Sequence, residues 1–206
     1  EHQALMSISS QAAVGDLDKL NAALHKGLDA GLTINQLKEA LIHVHAYAGF
    51  PRSIRGLQTL MTVLEERKLR GIEDEIGKDA SPILSDTSKY ERGKAILQQL
   101  TGVQENDLKT GYAAFAPTIE VFLKEHLFAD LFERDVLTYL ERELVTISVL
   151  ASIGRAEPML KSHLNICIHL GYHPSYLQQF IKIIEDAQGV ERAAQASKVL
   201  AEILHK

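Results

Sequence analysis

The sequence predicts an all-α protein, a tandem-repeat bundle of helical hairpins. Three observations point there. Apolar residues recur at spacings of three and four along most of the chain. Glycine closes most of those runs, often ahead of a residue suited to cap the next. A pattern of helix, glycine, helix, glycine, helix occurs near both ends.

Residues 1–14 carry Leu5, Ile8 and Ala12 on one helical face, and Gly15 breaks the run. Asp16 or Asp18 caps the next helix, whose Leu17, Leu20, Leu24 and Leu28 precede a stop at Gly31. Thr33 opens a third helix, with Gln36 placed to complete a capping box. Its buried stripe is Leu37, Leu41, Val44 and Ala48, and Gly49 ends it. Pro51 suits the first turn of a fourth helix through Leu57, Leu60 and Leu64. Lys68 and Arg70 precede Gly71, as the helix dipole favours. Residues 71–88 are polar, hold two glycines and a proline, and show no period; they read as a surface connector. Short helices follow, one ending at Gly102, one over 106–115 and one starting at Ala116-Pro117, with Ile119, Phe122 and Leu123 facing inward. The remainder is helical by pattern over 139–153, 158–170, 174–188 and 190–205.

Laid over itself, the chain pairs Leu5, Ile8, Ser9, Ala12 and Gly15 with Leu144, Ile147, Ser148, Ala151 and Gly154. With one inserted residue in the turn that follows, Leu20, Leu24, Gly31, Gly49 and Arg52 meet Leu160, Leu164, Gly171, Gly189 and Arg192. The expected organisation is a first repeat over 1–71, a connector with short helices over 72–115, and a second repeat over 116–206. Chance similarity between amphipathic helices is the plain alternative; matched glycines at both stops argue against it.

A net charge of −5 with dispersed basic residues leaves no footprint for nucleic acid or a membrane surface. No apolar run approaches the ~20 residues a bilayer span needs. A single cysteine excludes an internal disulfide and a CxxC redox pair. The cytoplasm is the expected compartment, with the periplasm as the alternative if the missing initiator Met marks a removed leader.

Two charged residues stand on apolar stripes. Glu143 shares a face with Ile147, Leu150 and Ile153; His163 shares one with Leu160, Leu164 and Cys167. A buried charge needs a partner or a role, because uncompensated desolvation costs several kcal/mol. In the overlay Glu143 meets Ala4 and His163 meets Ala23, whereas the corner Tyr47–Arg52 belongs to the first copy alone. One composite site is therefore expected, with Glu143 and His163 from the second copy and Tyr47, Arg52 and His45 from the first. The plain readings are an N-terminal acid favoured by the helix dipole, a core histidine, and surface arginines. A carboxylate-held imidazole is suited to move a proton, and an anionic substrate calls for a cation, for which Arg52 and Arg155 are candidates ahead of Arg142. Tyr47 is a candidate donor to an enolate oxygen, or a core residue with its hydroxyl at the surface. His43 and His45 diverge by about 200° on a helix, and no third ligand is evident, so no metal is expected. Cys167 reads as packing.

The run RELVTISVLASIGRAEPMLKSHLNICIHLG, with LTINQLKEALIHVHAYAGFPRSIRGL before it, resembles the carboxymuconolactone decarboxylase family, which includes the alkylhydroperoxidase D-like proteins. The resemblance implies a helical-hairpin fold and homo-oligomers; a fused pseudo-dimer of this type would form a trimer of pseudo-dimers. The peroxidase branch of the family uses a CxxC pair, which is missing here; the decarboxylase branch lacks it and keeps the histidine. By resemblance the expected activity is a cofactor-free lyase or isomerase step on a small organic acid or lactone, with His163 as proton donor and Glu143 as its partner. Peroxidase-type activity and a non-catalytic oligomeric binding module are the rivals.

Overall fold

The computed structural model describes residues 1–104 and 108–204. Among these the regular structure is helical throughout. Two units are distinguished, one made of Glu1–Asp79 with Val136–Lys206 and the other of Ala80–Asp135.

The first unit contains α1 (His2–Val14), α2 (Leu17–Asp29), α3 (Ile34–Ala48), α4 (Phe50–Leu69), α8 (Tyr139–Ile153), α9 (Glu157–His169), α10 (Pro174–Gln188) and α11 (Val190–Leu204). The expected stops hold: Gly15 ends α1 in the left-handed region, Gly49 separates α3 from α4, and Gly154 and Gly189 end α8 and α10. Asp16 caps α2 by accepting from the Lys19 amide at 3.2 Å. The Thr33–Gln36 capping box is formed, and α8 has a second one between Thr138 and Glu141. The expected end of α11 at His205 lies outside the described residues.

Helix α1 packs on α2, α3 and α4, while α8 packs on α9, α10 and α11. The two groups meet where α1 lies on α8, and each central helix also touches the third helix of the other group, α3 on α8 and α10 on α1. The consequence for α8 is burial on every side: each residue from Glu141 to Ser152 is buried. A one-sided stripe was the expectation; surrounding helices on all faces bury the whole circumference instead. Two apolar clusters result. One joins Leu20, Leu24, Leu37 and Leu41 to Val145 and Val149, and the other joins Leu144, Leu160, Leu164 and Phe180 to Met6. Tyr47 and Ile153 touch both.

The start of the connector is tied to α3. Helix N-termini leave amides without intrahelical partners. Here Ile34 and Asn35 donate theirs to the carbonyls of Glu75 and Ile76, each at 2.9 Å. Asn35 adds side-chain bonds to the Gly77 and Lys78 carbonyls. Arg67, almost fully buried, holds Asp74 through a paired contact and Asp29 at 2.8 Å.

The second unit contains α5 (Lys89–Thr101), α6 (Gly111–Phe115), α7 (Pro117–Phe122) and a π-helical segment, Leu123–Phe132. The part of the expected 106–115 helix at 106 and 107 lies outside the described residues. The helix expected from Ala116-Pro117 loosens after Phe122 into the wider winding. Helix α5 packs on it at Gly93, where a Cβ would stand 1.8 Å from the Lys124 carbonyl oxygen. Arg92 grips Glu133 at 3.0 Å beside that approach.

Candidate functional site

Three helices of the first unit bring polar side chains to one place. From α8 come Arg142, Glu143 and Thr146, fully buried because that helix is enclosed. From α9 comes His163, whose side chain is 13% exposed, so an edge of the ring reaches solvent. From α3 come Glu39, His43 and Tyr47, spaced by four and therefore stacked on one face.

The centre is the pair expected from the two stripes. His163 Nδ1–H donates to Glu143 Oε2 at 2.7 Å. That bond fixes the ring and leaves Nε2 as the nitrogen available for proton exchange. Tyr47 stands edge-on to His163, with ring centroids 5.8 Å apart and an interplanar angle of 86°. Its hydroxyl points inward, opposite to a surface hydroxyl, and is buried beside the Thr146 side chain; Oε1 of Glu143 is buried without a hydrogen bond. Burial and then the Glu143 carboxylate push the Tyr47 phenol above its ordinary range, so it remains an O–H donor.

Behind this pair runs a second layer. Arg142 donates to Glu39 Oε1 at 2.7 Å, with both side chains buried. Thr146 donates its hydroxyl proton to the Arg142 carbonyl at 2.9 Å, so its oxygen accepts from His43 Nε2–H at 3.0 Å. The other ring nitrogen, Nδ1, is then the acceptor facing Arg142 Nη1 at 3.4 Å. These roles require a neutral imidazole. Burial first, and then the neighbouring Arg142, hold His43 well below the usual histidine range, in agreement.

The remaining sequence-predicted residues lie differently. His45 bonds the Ile42 carbonyl through Nδ1 and stacks on Phe50 at 4.7 Å. Arg52 lays its guanidinium against Gly15, at the C-terminus of α1, where a cation complements the helix dipole. Arg155 is exposed, in a left-handed conformation (φ 57°) just past α8. The last residue of α8, Ile153, is already roughly 15 Å along the axis from Glu143 at ~1.5 Å per residue, and Arg155 follows it in the turn. The structure thus groups Glu143, His163 and Tyr47. It surrounds them with Arg142, His43, Glu39 and Thr146, of which the last two carried no sequence expectation. A signal existed: Glu39, His43 and Tyr47 at i, i+4 and i+8 interrupt the apolar side of α3.

Cys167, one turn beyond His163, is fully buried, and burial followed by the Glu143 charge raises its thiol well above the ordinary value. Such a thiol is a poor nucleophile. Among the described residues no three His, Cys, Asp or Glu side chains are grouped as metal ligands.

The model of the carboxymuconolactone decarboxylase family matches residues 117–202, a stretch that holds Glu143 and His163. Over that stretch the chain is similar to the carboxymuconolactone decarboxylase family. No curated protein matches it. Within this carboxymuconolactone decarboxylase-like stretch no helix is long and apolar enough to cross a membrane, nor is any elsewhere among the described residues. Glu143 and His163 come from the matched segment, whereas Tyr47, His43 and Glu39 come from the N-terminal helices outside it.

Proposed function

We propose that the chain is a cofactor-free lyase or isomerase acting on a small organic acid or lactone, with His163 moving the proton. The bond between His163 Nδ1 and the buried Glu143 carboxylate supports this most directly. In a decarboxylation the bond from carbon to carboxylate breaks, CO₂ leaves, and the electron pair passes into an enolate. Protonation of that carbon by His163 Nε2–H completes the step. Tyr47, held as a donor, suits the enolate oxygen. Arg142 is neutralised by Glu39 and serves to hold His43 and α3 in place. A dithiol peroxidase is disfavoured, because the one cysteine is buried and has no second thiol.

We further propose that the site is composite because the chain is a fused pair. Ser9 and Ser148 each bond the carbonyl four residues back at 2.7 Å. Arg192 lies against Gly154 as Arg52 lies against Gly15. Gln3 donates to Gln179 at 2.9 Å at the positions that overlay on Arg142 and Glu39. Homo-oligomerisation in the cytoplasm, as a trimer of pseudo-dimers, belongs to the same reading. Exposed Phe50, Ile54 and Met61 on α4 support it.

A panel of small lactone and keto acids tests the activity by CO₂ release and deuterium uptake from D₂O. Turnover is expected, falling by about a hundredfold or more in His163→Ala with the helical CD spectrum retained. Turnover unchanged in that variant, or none by the wild type across the panel, contradicts it.

A further inference from the structure

The short helices α6 and α7 of the second unit bury none of their own residues. They carry an apolar face at the surface instead. Phe115 is 93% exposed and Phe122 61%, with Tyr112 and Ile119 exposed beside them. Ile119 and Phe122 were expected to face inward. The extended backbone at Ala116 (φ −134°, ψ 75°) interrupts the helix that this expectation assumed, and both lie outside. No charged residue occurs from Thr110 to Ile119. The flanking Glu120 is occupied within the unit, accepting from the Tyr90 hydroxyl at 3.1 Å and pairing with Lys109 at 3.3 Å. Taking about 150–250 Å² for one aromatic side chain, the four residues expose on the order of 500 Å² of apolar surface. A patch of that size is at the upper end for a monomer.

The spacing says what fits it. Tyr112, Phe115, Ile119 and Phe122 stand three, four and three residues apart, the same read in either direction. Lys109 and Glu125 lie three residues beyond the two ends, equally far from Pro117. We infer that this segment is a self-association surface, covered by the same segment of a second copy lying antiparallel to it. Pairing about Pro117 brings Tyr112 to Phe122, Phe115 to Ile119 and Lys109 to Glu125, each pair twice, as a two-fold contact requires. The ammonium of Lys109 has three donors, enough to hold Glu120 in its own chain and Glu125 of the other. Parallel pairing would instead set like charges against each other at both ends, so the charges fix the direction. Depletion of charge between them suits the centre of an interface. The apolar area is below the roughly 800 Å² that each partner of a standard interface contributes, so the contact is weak and reversible. It joins two copies, or two larger assemblies, at high concentration, and it does not depend on whether His163 turns a substrate over.

Light scattering over a concentration series tests it. The apparent mass is expected to double between about 5 and 500 μM, whatever its value at the low end, as a weak interface implies. Phe115→Glu and Ile119→Lys each place a charge in the contact, and each is expected to abolish the doubling. Both positions are exposed, so both variants are expected to keep the helical CD spectrum. Mixed in equal amounts, the two variants are expected to pair again, because the antiparallel register sets the introduced carboxylate opposite the introduced ammonium. A wild-type mass that stays constant, doubling that survives Phe115→Glu, or a mixture that fails to pair each overturns the inference. So does co-sedimentation of the wild type with phosphatidylcholine–phosphatidylglycerol vesicles that Phe115→Glu removes, since it assigns the patch to a lipid surface.

Discussion

Two imidazoles at the candidate site stand in opposite surroundings. His163 holds a carboxylate and reaches solvent by one edge; His43 is sealed among Arg142, Thr146 and Tyr47. Burial makes the charged form of His43 costly, so its folded-state pKa lies below the unfolded value of about 6.5. Below pH 6.5 the unfolded chain takes up a proton at this position that the folded chain refuses. Stability therefore falls as pH drops through that window, by up to about 1.4 kcal/mol per pH unit from this group. Urea titrations from pH 7.5 to 5 are expected to show a steeper acid loss for the wild type than for His43→Gln; parallel curves contradict the assignment. Cys167 is expected to be inert to a thiol reagent in the native protein and to react fully after denaturation, read by absorbance. Fast native labelling would mean that the α9 face is open.

The helices were legible in the sequence because their signals are local. Asp16, Thr33 with Gln36, and the glycines at 15, 31, 49 and 154 act within one turn of where they stand, and each marks a boundary that is found. The Glu143–His163 pair was legible for a related reason: each was a charged residue on an apolar stripe of adjoining helices, 20 residues apart. The Arg142–Glu39 pair joins residues 103 positions apart, and nothing local to either says which will find which. Arg52 and Arg155 were candidates by charge alone; where each comes to lie depends on how the helix ends pack. The π-helical winding after Phe122 had no compositional mark. The connector also hides its anchor, since Asp74 is one acid among several. Arg67 rests on it through a paired contact, and this strong hydrogen bonding raises the guanidinium pKa further. Arg67→Ala strands Asp74 and is expected to cost about 3 kcal/mol in denaturant unfolding; a loss below about 0.5 kcal/mol would show the anchor to be incidental.

At the scale of the whole chain, the site draws on helices from both ends. The α8–α9 hairpin carries the Glu143–His163 pair, and α3 supplies Tyr47 together with Glu39 and His43 of the layer behind it. The proposed fusion of two helical units accounts for one corner filled with rings and charges and its counterpart with alanines and amides. It also explains why α8, central to the unit, tolerates a carboxylate in full burial: the partner imidazole comes from the next helix, which the Gly154 turn folds back. The exposed apolar stripe of Phe50, Ile54 and Met61 on α4 is expected to be covered in an assembly. Light scattering should give a mass near three times the chain's 22.8 kDa, and Met61→Glu should lower it; a monomer at micromolar concentration contradicts that assembly. The central claim is that Glu143 and His163 act as one proton-transferring device. The most direct measurement is a double-mutant cycle on kcat/KM with Glu143→Gln and His163→Ala. Each single change is expected to remove most of the activity, and the double variant to lose little more than His163→Ala alone, as for residues that work as a unit. Losses that add independently, or a Glu143→Gln enzyme as active as the wild type, would contradict it.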